Sequence, residues 1–406
     1  MAELPTELVL HIVSFLTREI CLDPMRRLGY NSGLTKPEFV PDLPSVNALS
    51  RTNSIYHLTL NQTLYELCAS IEPLGRLALL FAVEHNSENA FGKLVAAGIS
   101  VDGKFAFKFG MCGLLHVAAG TGSHLIVPKL LRMYGAKTLA SPRVFEHDYA
   151  NGRSALDYAV SEGHVETVRL LAPKVAVFSS LTAAGLPIPD DLVHLHKQYL
   201  SKALLKSVSR AADIAICECL LSEGADVNTL DTGYRCLSPL GYATRNDDLA
   251  TMQLLLGAGA DPNLGDRQGV VPLFRAGSVP AAQALLDAGA RLDATDNMWR
   301  NALMHGALQR TKLLRFLLER GVDPNQADDK GNTPLHYACW EPGVAAIELL
   351  LQFGATTVEK TDRTEVSPTK LAMAKIKVDA VRLLEPLVRD PSLKEKIVRW
   401  LEENRG

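Results

Sequence analysis

Three places along the chain bring together residue types that could do chemistry. Cys217 and Cys219 stand two residues apart with Cys236 downstream, sulfur donors that could approach a metal ion. His194 and His196 follow Asp190 and Asp191, a mixed imidazole and carboxylate set that zinc accepts. The run "AAGTGS", residues 118–123, has the small residues of a phosphate-binding loop. None of the three carries the rest of its pattern. Residues two apart on a helix point in different directions, which separates Cys217 from Cys219. Nothing else at ligand spacing supports His194 and His196, where a polar loop is expected. The glycine run lacks a preceding strand and a Gly-Lys-Ser/Thr ending. No Ser-His-Asp or Cys-His signature is visible. The expectation is a protein that is not an enzyme, with no catalytic residues, metal ligands or cofactor; an enzyme with an unrecognised active site stays as an alternative.

Bulk composition points the same way. The 406 residues are 47% hydrophobic and 21% charged, ordinary for a globular chain, and the formal net charge is −3. Without a long basic run there is no electrostatic footprint for nucleic acid or an anionic membrane. No window holds 18 uninterrupted apolar residues, so no membrane span is expected. The first helix has Glu7 and His11 within it and no basic region before it, unlike a signal peptide. Seven cysteines, at 21, 68, 112, 217, 219, 236 and 339, lack disulfide-framework spacing. They read as reduced thiols of a cytoplasmic or nuclear protein.

The elements that must position any site come from a repeat. The block "KGNTPLHYACWEPGVAAIELLLQFGAT" (330–356) holds two short apolar-periodic segments, split at Pro342-Gly343 and closed by Gly354-Ala355. Its closing triplet recurs at Gly224, Gly259, Gly289, Gly321 and Gly354, at steps of 35, 30, 32 and 33 residues. The opening element recurs in phase, as Pro239-Leu240, Pro272-Leu273, Ala302-Leu303 and Pro334-Leu335. Two markers sharing one period define a unit. Pro334 starts one helix, Val344 to Phe353 forms a second, and Gly354 suits a left-handed cap before a turn-rich exit. A layer this thin cannot bury both its faces, so units stack.

"GNTPLHYA" with "ELLLQFGA" resembles the ankyrin repeat, over roughly residues 75 to 385. The resemblance implies an all-α solenoid of about eight or nine units. Fainter copies occupy 77–100, 113–136 and 152–172. Residues 173–197, with three prolines and no closing triplet, read as an insertion or bend between blocks 71–172 and 198–390. Charged residues 391–406 read as a C-terminal capping helix. In the repeats, His116 and His336 take the fourth place of the "TPLH" element, a structural role, and Asn228, Asn263 and Asn325 read as turn residues bonding local backbone.

The first 70 residues form a separate small helical domain. "LPTELVLHIVSFL" (4–16) spaces Leu4, Leu8, Ile12 and Phe15, with Leu16 adjacent, as one apolar stripe on a helix. Pro5 fits a first helical position and Glu7 complements the helix dipole. About 29 irregular residues, Thr17 to Ser45, precede a second periodic segment with Leu49, Ile55 and Tyr56. Together the two segments resemble an F-box, in the form found at the head of fungal ankyrin-repeat proteins. That resemblance implies a substrate receptor of a cullin-RING ubiquitin ligase of the SCF type. Leu4, Pro5, Leu8, Ile12, Phe15 and Leu16 would then dock on the Skp adaptor. Capping of the solenoid is the alternative role for this segment, and a scaffold or regulator with no ligase link the alternative function.

By the same resemblance, residues before each Pro-Leu element and shortly after its alanine face the concave side of the stack. Here they are Tyr234, Arg235, Arg245, Arg267, Trp299, Arg300, Gln309 and Trp340. Aromatic and arginine side chains dominate binding hot spots, so the expected ligand is a target protein of unidentified nature.

Overall fold

The computed structural model describes residues 17–20, 38–41, 72–107, 110–138, 153–173, 185, 187–210, 213–341, 343–359, 362–363 and 365–404. Leu4, Pro5, Leu8, Ile12, Phe15 and Leu16, and with them Leu49, Ile55 and Tyr56, lie outside the described residues. The chain divides into two compact units, 1–203 and 204–406.

Within the expected irregular stretch 17–45, β1 (Thr17–Ile20) pairs antiparallel with β2 (Glu38–Pro41). "TREI" and "EFVP" each carry a β-branched residue, and Pro41 falls at a strand end, where a missing N–H is tolerated. The other described elements of the first unit are helices and one hairpin. Here α1 (Glu72–Glu84) packs on α2 (Glu88–Ala96) and α3 (Leu114–Gly120), while α3 meets α4 (Val127–Thr138) and α5 (Ala155–Ser161), and α5 meets α6 (Val165–Leu171). A hairpin, β3 (Phe105–Phe107) with β4 (Gly110–Cys112), lies between α2 and α3 in the chain and buries Phe105, Phe107 and Cys112. The Phe107 ring lies against α3 so closely that a Cβ on Gly120 would stand 2.5 Å from it, which explains a glycine at that point. A capping box starts α5: Ser154 accepts the Asp157 N–H at 3.2 Å, and the Asp157 carboxylate accepts the Ser154 N–H at 2.9 Å.

Helix α7 (Asp190–Arg210) begins inside the 173–197 stretch and continues across residue 197. His194 and His196 are therefore on a helix and not in a polar loop. His194 faces solvent beside Gln198, at 2.9 Å, while His196 is buried.

The second unit repeats one pattern. Its outer helices are α8 (Ile214–Ser222), α10 (Leu249–Gly257), α11 (Val279–Asp287), α12 (Thr311–Glu319), α14 (Ala345–Gln352) and α16 (Val378–Leu384), and its inner helices are α9 (Pro239–Arg245), α13 (Pro334–Trp340) and α15 (Pro368–Ala374). Each outer helix sinks one leucine into the stack: Leu220, Leu255, Leu285, Leu317, Leu350 and Leu384 are all at most 1% exposed. Each inner helix opens with Pro at its first turn behind a Ser or Thr cap, Ser238, Thr333 or Ser367. At the outer-helix exit Gly354 has φ +87°, which lets its own N–H reach Leu351 and the Ala355 N–H reach Leu350.

A helix pair in every unit is not what forms. Pro272-Leu273 opens only a 3-10 turn, Pro272–Arg275, and the Ala302-Leu303 element leads through turns to a second one, Gly306–Gln309. In the first case the step from Gly259 to Gly289 is the shortest of the series, 30 residues, and Ser278 already caps α11 three residues after Arg275. The missing length comes out of the inner helix. The C-terminal α17 (Pro391–Glu403), capped by Asp390, buries Leu393 and Ile397 on one side.

Candidate protein-binding surface

Between each outer helix and the next inner helix the chain makes a short finger, and one aspartate organises each. The backbone N–H of Asp231, Asp266, Asp296, Asp328 and Asp362 donates across the finger to the carbonyl of Leu237, Val270, Arg300, Asn332 and Val366, at 2.8–3.1 Å. The same carboxylates accept N–H groups at the tip. Asp296 Oδ1 takes those of Met298 (2.9 Å) and Arg300 (3.0 Å), and Asp328 Oδ1 those of Lys330 (2.9 Å) and Asn332 (2.7 Å). A side chain from the following inner element then braces the first four of these acids. Tyr242 donates to Asp231, Arg275 pairs with Asp266, His305 stands 3.1 Å from Asp296, and Tyr337 donates to Asp328 at 2.9 Å. Burial and the bond to Asp328 push the Tyr337 hydroxyl up to about 12, so it stays a donor.

Successive fingers are stitched to each other through backbone. The N–H of Arg267 donates to Arg235 (3.0 Å), Asn297 to Gln268 (2.9 Å), Asp329 to Met298 (2.9 Å) and Arg363 to Lys330 (2.8 Å). The tips therefore form one continuous row with fixed neighbours.

Four of the eight expected contact residues stand on this row. Tyr234 is 80% exposed with Arg235 beside it, Arg267 is exposed on the next finger, and Trp299 on the third is 65% exposed with φ +61°. A tryptophan held in the left-handed region with its ring in water is strained and unburied at once, which packing does not explain. Three others sit at the inner-element ends. Arg245 is the exposed last residue of α9. Gln309 donates to both carboxylate oxygens of Glu341 at 3.1 Å, and Trp340, 60% exposed, lies under the Lys375 ammonium at 4.0 Å. Arg300 differs. Its guanidinium is bonded to the fully buried Asp296 carboxylate, at 2.7 Å from Nε and 2.6 Å from Nη2, and is only 23% exposed. It holds its finger in shape, so removing it disturbs the fold as well as any contact.

Sequence reasoning passed over the finger aspartates, although they recur in phase with the closing glycines, and over Lys330, Arg363 and Lys375, the cations flanking the row and the Trp340 ring. It also placed the asparagines too locally. Asn228, Asn263 and Asn325 each send Nδ2 to the closing glycine of the next unit, Gly259 (3.4 Å), Gly289 (3.0 Å) and Gly354 (2.8 Å). His336 does have a structural place, accepting the Thr333 N–H on Nδ1 (3.0 Å) and reaching the Val366 carbonyl with Nε2 (3.2 Å).

Among the described residues no group of three or more His, Cys, Asp or Glu could hold a metal ion. Cys217 is buried against Ser207 at 3.4 Å, and burial pushes its thiol up, away from thiolate. No described helix is long and apolar enough to cross a membrane.

Known families recognise the same units. A family model for ankyrin repeats in three copies matches residues 204–296 and 275–362, and one for a single ankyrin repeat matches 151–175. The chain carries ankyrin repeats. It is similar to transient receptor potential cation channel subfamily A member 1 of Homo sapiens, 26% identical over 330 residues that make up 79% of this chain and 28% of that protein. Ankyrin repeat protein nuc-2 of Neurospora crassa is 36% identical over 118 residues, 28% of this chain and 11% of nuc-2. Putative ankyrin repeat protein YahD of Escherichia coli is 27% identical over 164 residues, 38% of this chain and 81% of YahD. The chain spans less than a third of the length of the channel subunit and of nuc-2. Ankyrin stacks mediate protein–protein interaction.

Proposed function

We propose that this ankyrin-repeat chain is a receptor that joins two proteins: the fingers and inner-element ends hold a target, and the stripe Leu4, Pro5, Leu8, Ile12, Phe15 and Leu16 docks on the Skp adaptor of a cullin-RING ubiquitin ligase. The observation that carries the target side is the exposure of Tyr234 and Trp299 on the first and third fingers of one backbone-linked row. The ligase side is supported by the sequence "LPTELVLHIVSFL" and its resemblance to an F-box. On this reading the chain contributes proximity and no bond-making chemistry, needs no cofactor, and works in the cytoplasm or nucleus.

Mixing the full chain with a purified Skp adaptor tests the ligase side. A stable complex is expected by size exclusion, and Leu8→Asp with Ile12→Asp should abolish it by placing charges in an apolar contact. A wild-type chain that elutes apart from the adaptor leaves the second reading, a scaffold or regulator that binds through its ankyrin stack alone.

A further inference from the structure

Over its first three fingers the row sorts charge by sign. The acids turn inward: the Asp266 and Asp296 side chains are 1% and 0% exposed and held by Arg275 and Arg300, while Asp231 accepts from Tyr242. Two bases turn outward. Arg235 and Arg267 are exposed on neighbouring tips joined by the Arg267 N–H, and neither makes an ion pair among the described residues. Tyr234 and Trp299 flank them, and between 232 and 236, 267 and 269, and 297 and 299 there is no carboxylate at all. Two cations between two exposed aromatic rings, with the compensating acids sealed below, give these three tips a positive face that extends over about one Debye length.

We propose that the first three fingers of the second unit, at Tyr234, Arg235, Arg267 and Trp299, bind an acidic linear segment of the partner protein. This deepens the target-binding half of the proposed function and rests on it. A segment suits the row because the tips are linked one after another by backbone, each contributing a narrow strip. The carboxylates of such a segment meet Arg235 and Arg267, whose planar forks donate to them bidentately, and its apolar side chains meet the two rings. A nucleic acid, the other anion that uses cations and rings, fits less well. The next two fingers carry Asp329 and Glu365 beside Lys330 and Arg363, so a uniformly charged strand running along the row meets repulsion there, and the whole chain is net negative at −3.

The test is selection of a random dodecapeptide display library on the immobilised full chain, followed by binding of the best synthetic peptides in solution. The selected pool should be at least about threefold richer in Asp and Glu than the input, and affinity should fall at least tenfold between about 50 mM and about 500 mM salt. Arg235→Glu with Arg267→Glu, and separately Trp299→Ala, should each weaken binding roughly tenfold while circular dichroism and thermal melting stay as in wild type. A selected pool without acidic enrichment, peptides indifferent to the charge reversal, or an oligouridylate that displaces them overturns the proposal. Selection of neutral peptides that still need Trp299 overturns only the acidic chemistry and keeps the receptor reading. Failure to select any peptide on the folded chain overturns the segment proposal, and adaptor binding, read separately through Leu8→Asp with Ile12→Asp, decides the ligase side.

Discussion

The side-chain amide of Asn325 ties its own unit to Gly354 of the next one: Nδ2 donates to the Gly354 carbonyl at 2.8 Å, while Oδ1 accepts the Thr356 N–H at 2.9 Å. Both ends of the amide are used, and both partners belong to backbone just beyond the outer helix, where carbonyls lack intrahelical donors. The link is repeated by Asn228 and Asn263 but not after Gly289, where Asp293 occupies the position and pairs with Arg291 instead. There Asn301 takes over, sending Nδ2 to the Asp323 carbonyl at 3.0 Å.

Asn325→Ala should lower stability by about 1–2 kcal/mol, since two solvent-accessible hydrogen bonds are lost and water replaces part of each. Asn301→Ala should cost more, about 2–3 kcal/mol, because Asn301 is 1% exposed and its Oδ1 also accepts the Leu303 N–H. Urea denaturation of the two variants side by side measures the order.

Leu350→Ala should cost about 2–5 kcal/mol. The side chain is fully buried in α14, and truncation leaves a cavity between stacked helices that cannot close. A denaturation midpoint equal to wild type would contradict the packing of the repeat.

Trp299→Ala and Arg300→Ala should separate two roles. The tryptophan ring is 65% exposed, so its loss should weaken target binding and leave the melting temperature nearly unchanged. Removing Arg300 strips a guanidinium from a buried carboxylate and should lower the melting temperature clearly, by several degrees. Equal stability of the two variants would mean that Arg300 does not brace its finger.

Acidification should weaken the third finger in two stages. Burial pushes the His305 imidazole below its ordinary 6.5, with the Arg300 charge adding to this and Asp296 opposing it. The unfolded chain therefore takes up this proton first, and its contribution to stability, present above about pH 6.5, is lost as pH falls below that value. Burial raises the Asp296 carboxyl, but the bonds from Arg300 and Met298 outweigh it and hold it below 3.8, so its contribution is lost as pH falls further, below about 4. Chemical denaturation between pH 7.5 and pH 5 should show the first stage, and His305→Gln should remove it.

Much of the architecture was open to reading from residues alone. The phase between closing glycines and Pro-Leu elements marked the units, and a buried leucine in each outer helix follows from that phase. The exposure of Trp299 and Trp340 fits their places outside the apolar stripe. The inner helix shortened to the turn Pro272–Arg275 was less visible, because the local pattern "VPLFRAG" still looks helical and only the 30-residue step betrays the shortage. The strand pair Thr17–Ile20 and Glu38–Pro41 escaped too, since four-residue strands separated by turn formers leave little periodicity.

What the residues determined by themselves is the repeat: its period, its caps and its apolar faces, all of which depend on neighbours within one helical turn or one unit. What the tertiary structure alone decided is which polar residues serve the fold and which are left for a partner. Arg235, Arg267 and Arg300 look alike along the chain. Arg300 lies four residues after a buried Asp296 that also faces His305 of the next element, and its charge is drawn inward, whereas the finger geometry leaves Arg235 and Arg267 outside. Likewise the asparagine amides find partners 26 to 31 residues away, across a unit boundary. Buried acids and unpaired backbone groups demand partners wherever stacking brings them, and stacking joins positions that local spacing keeps apart.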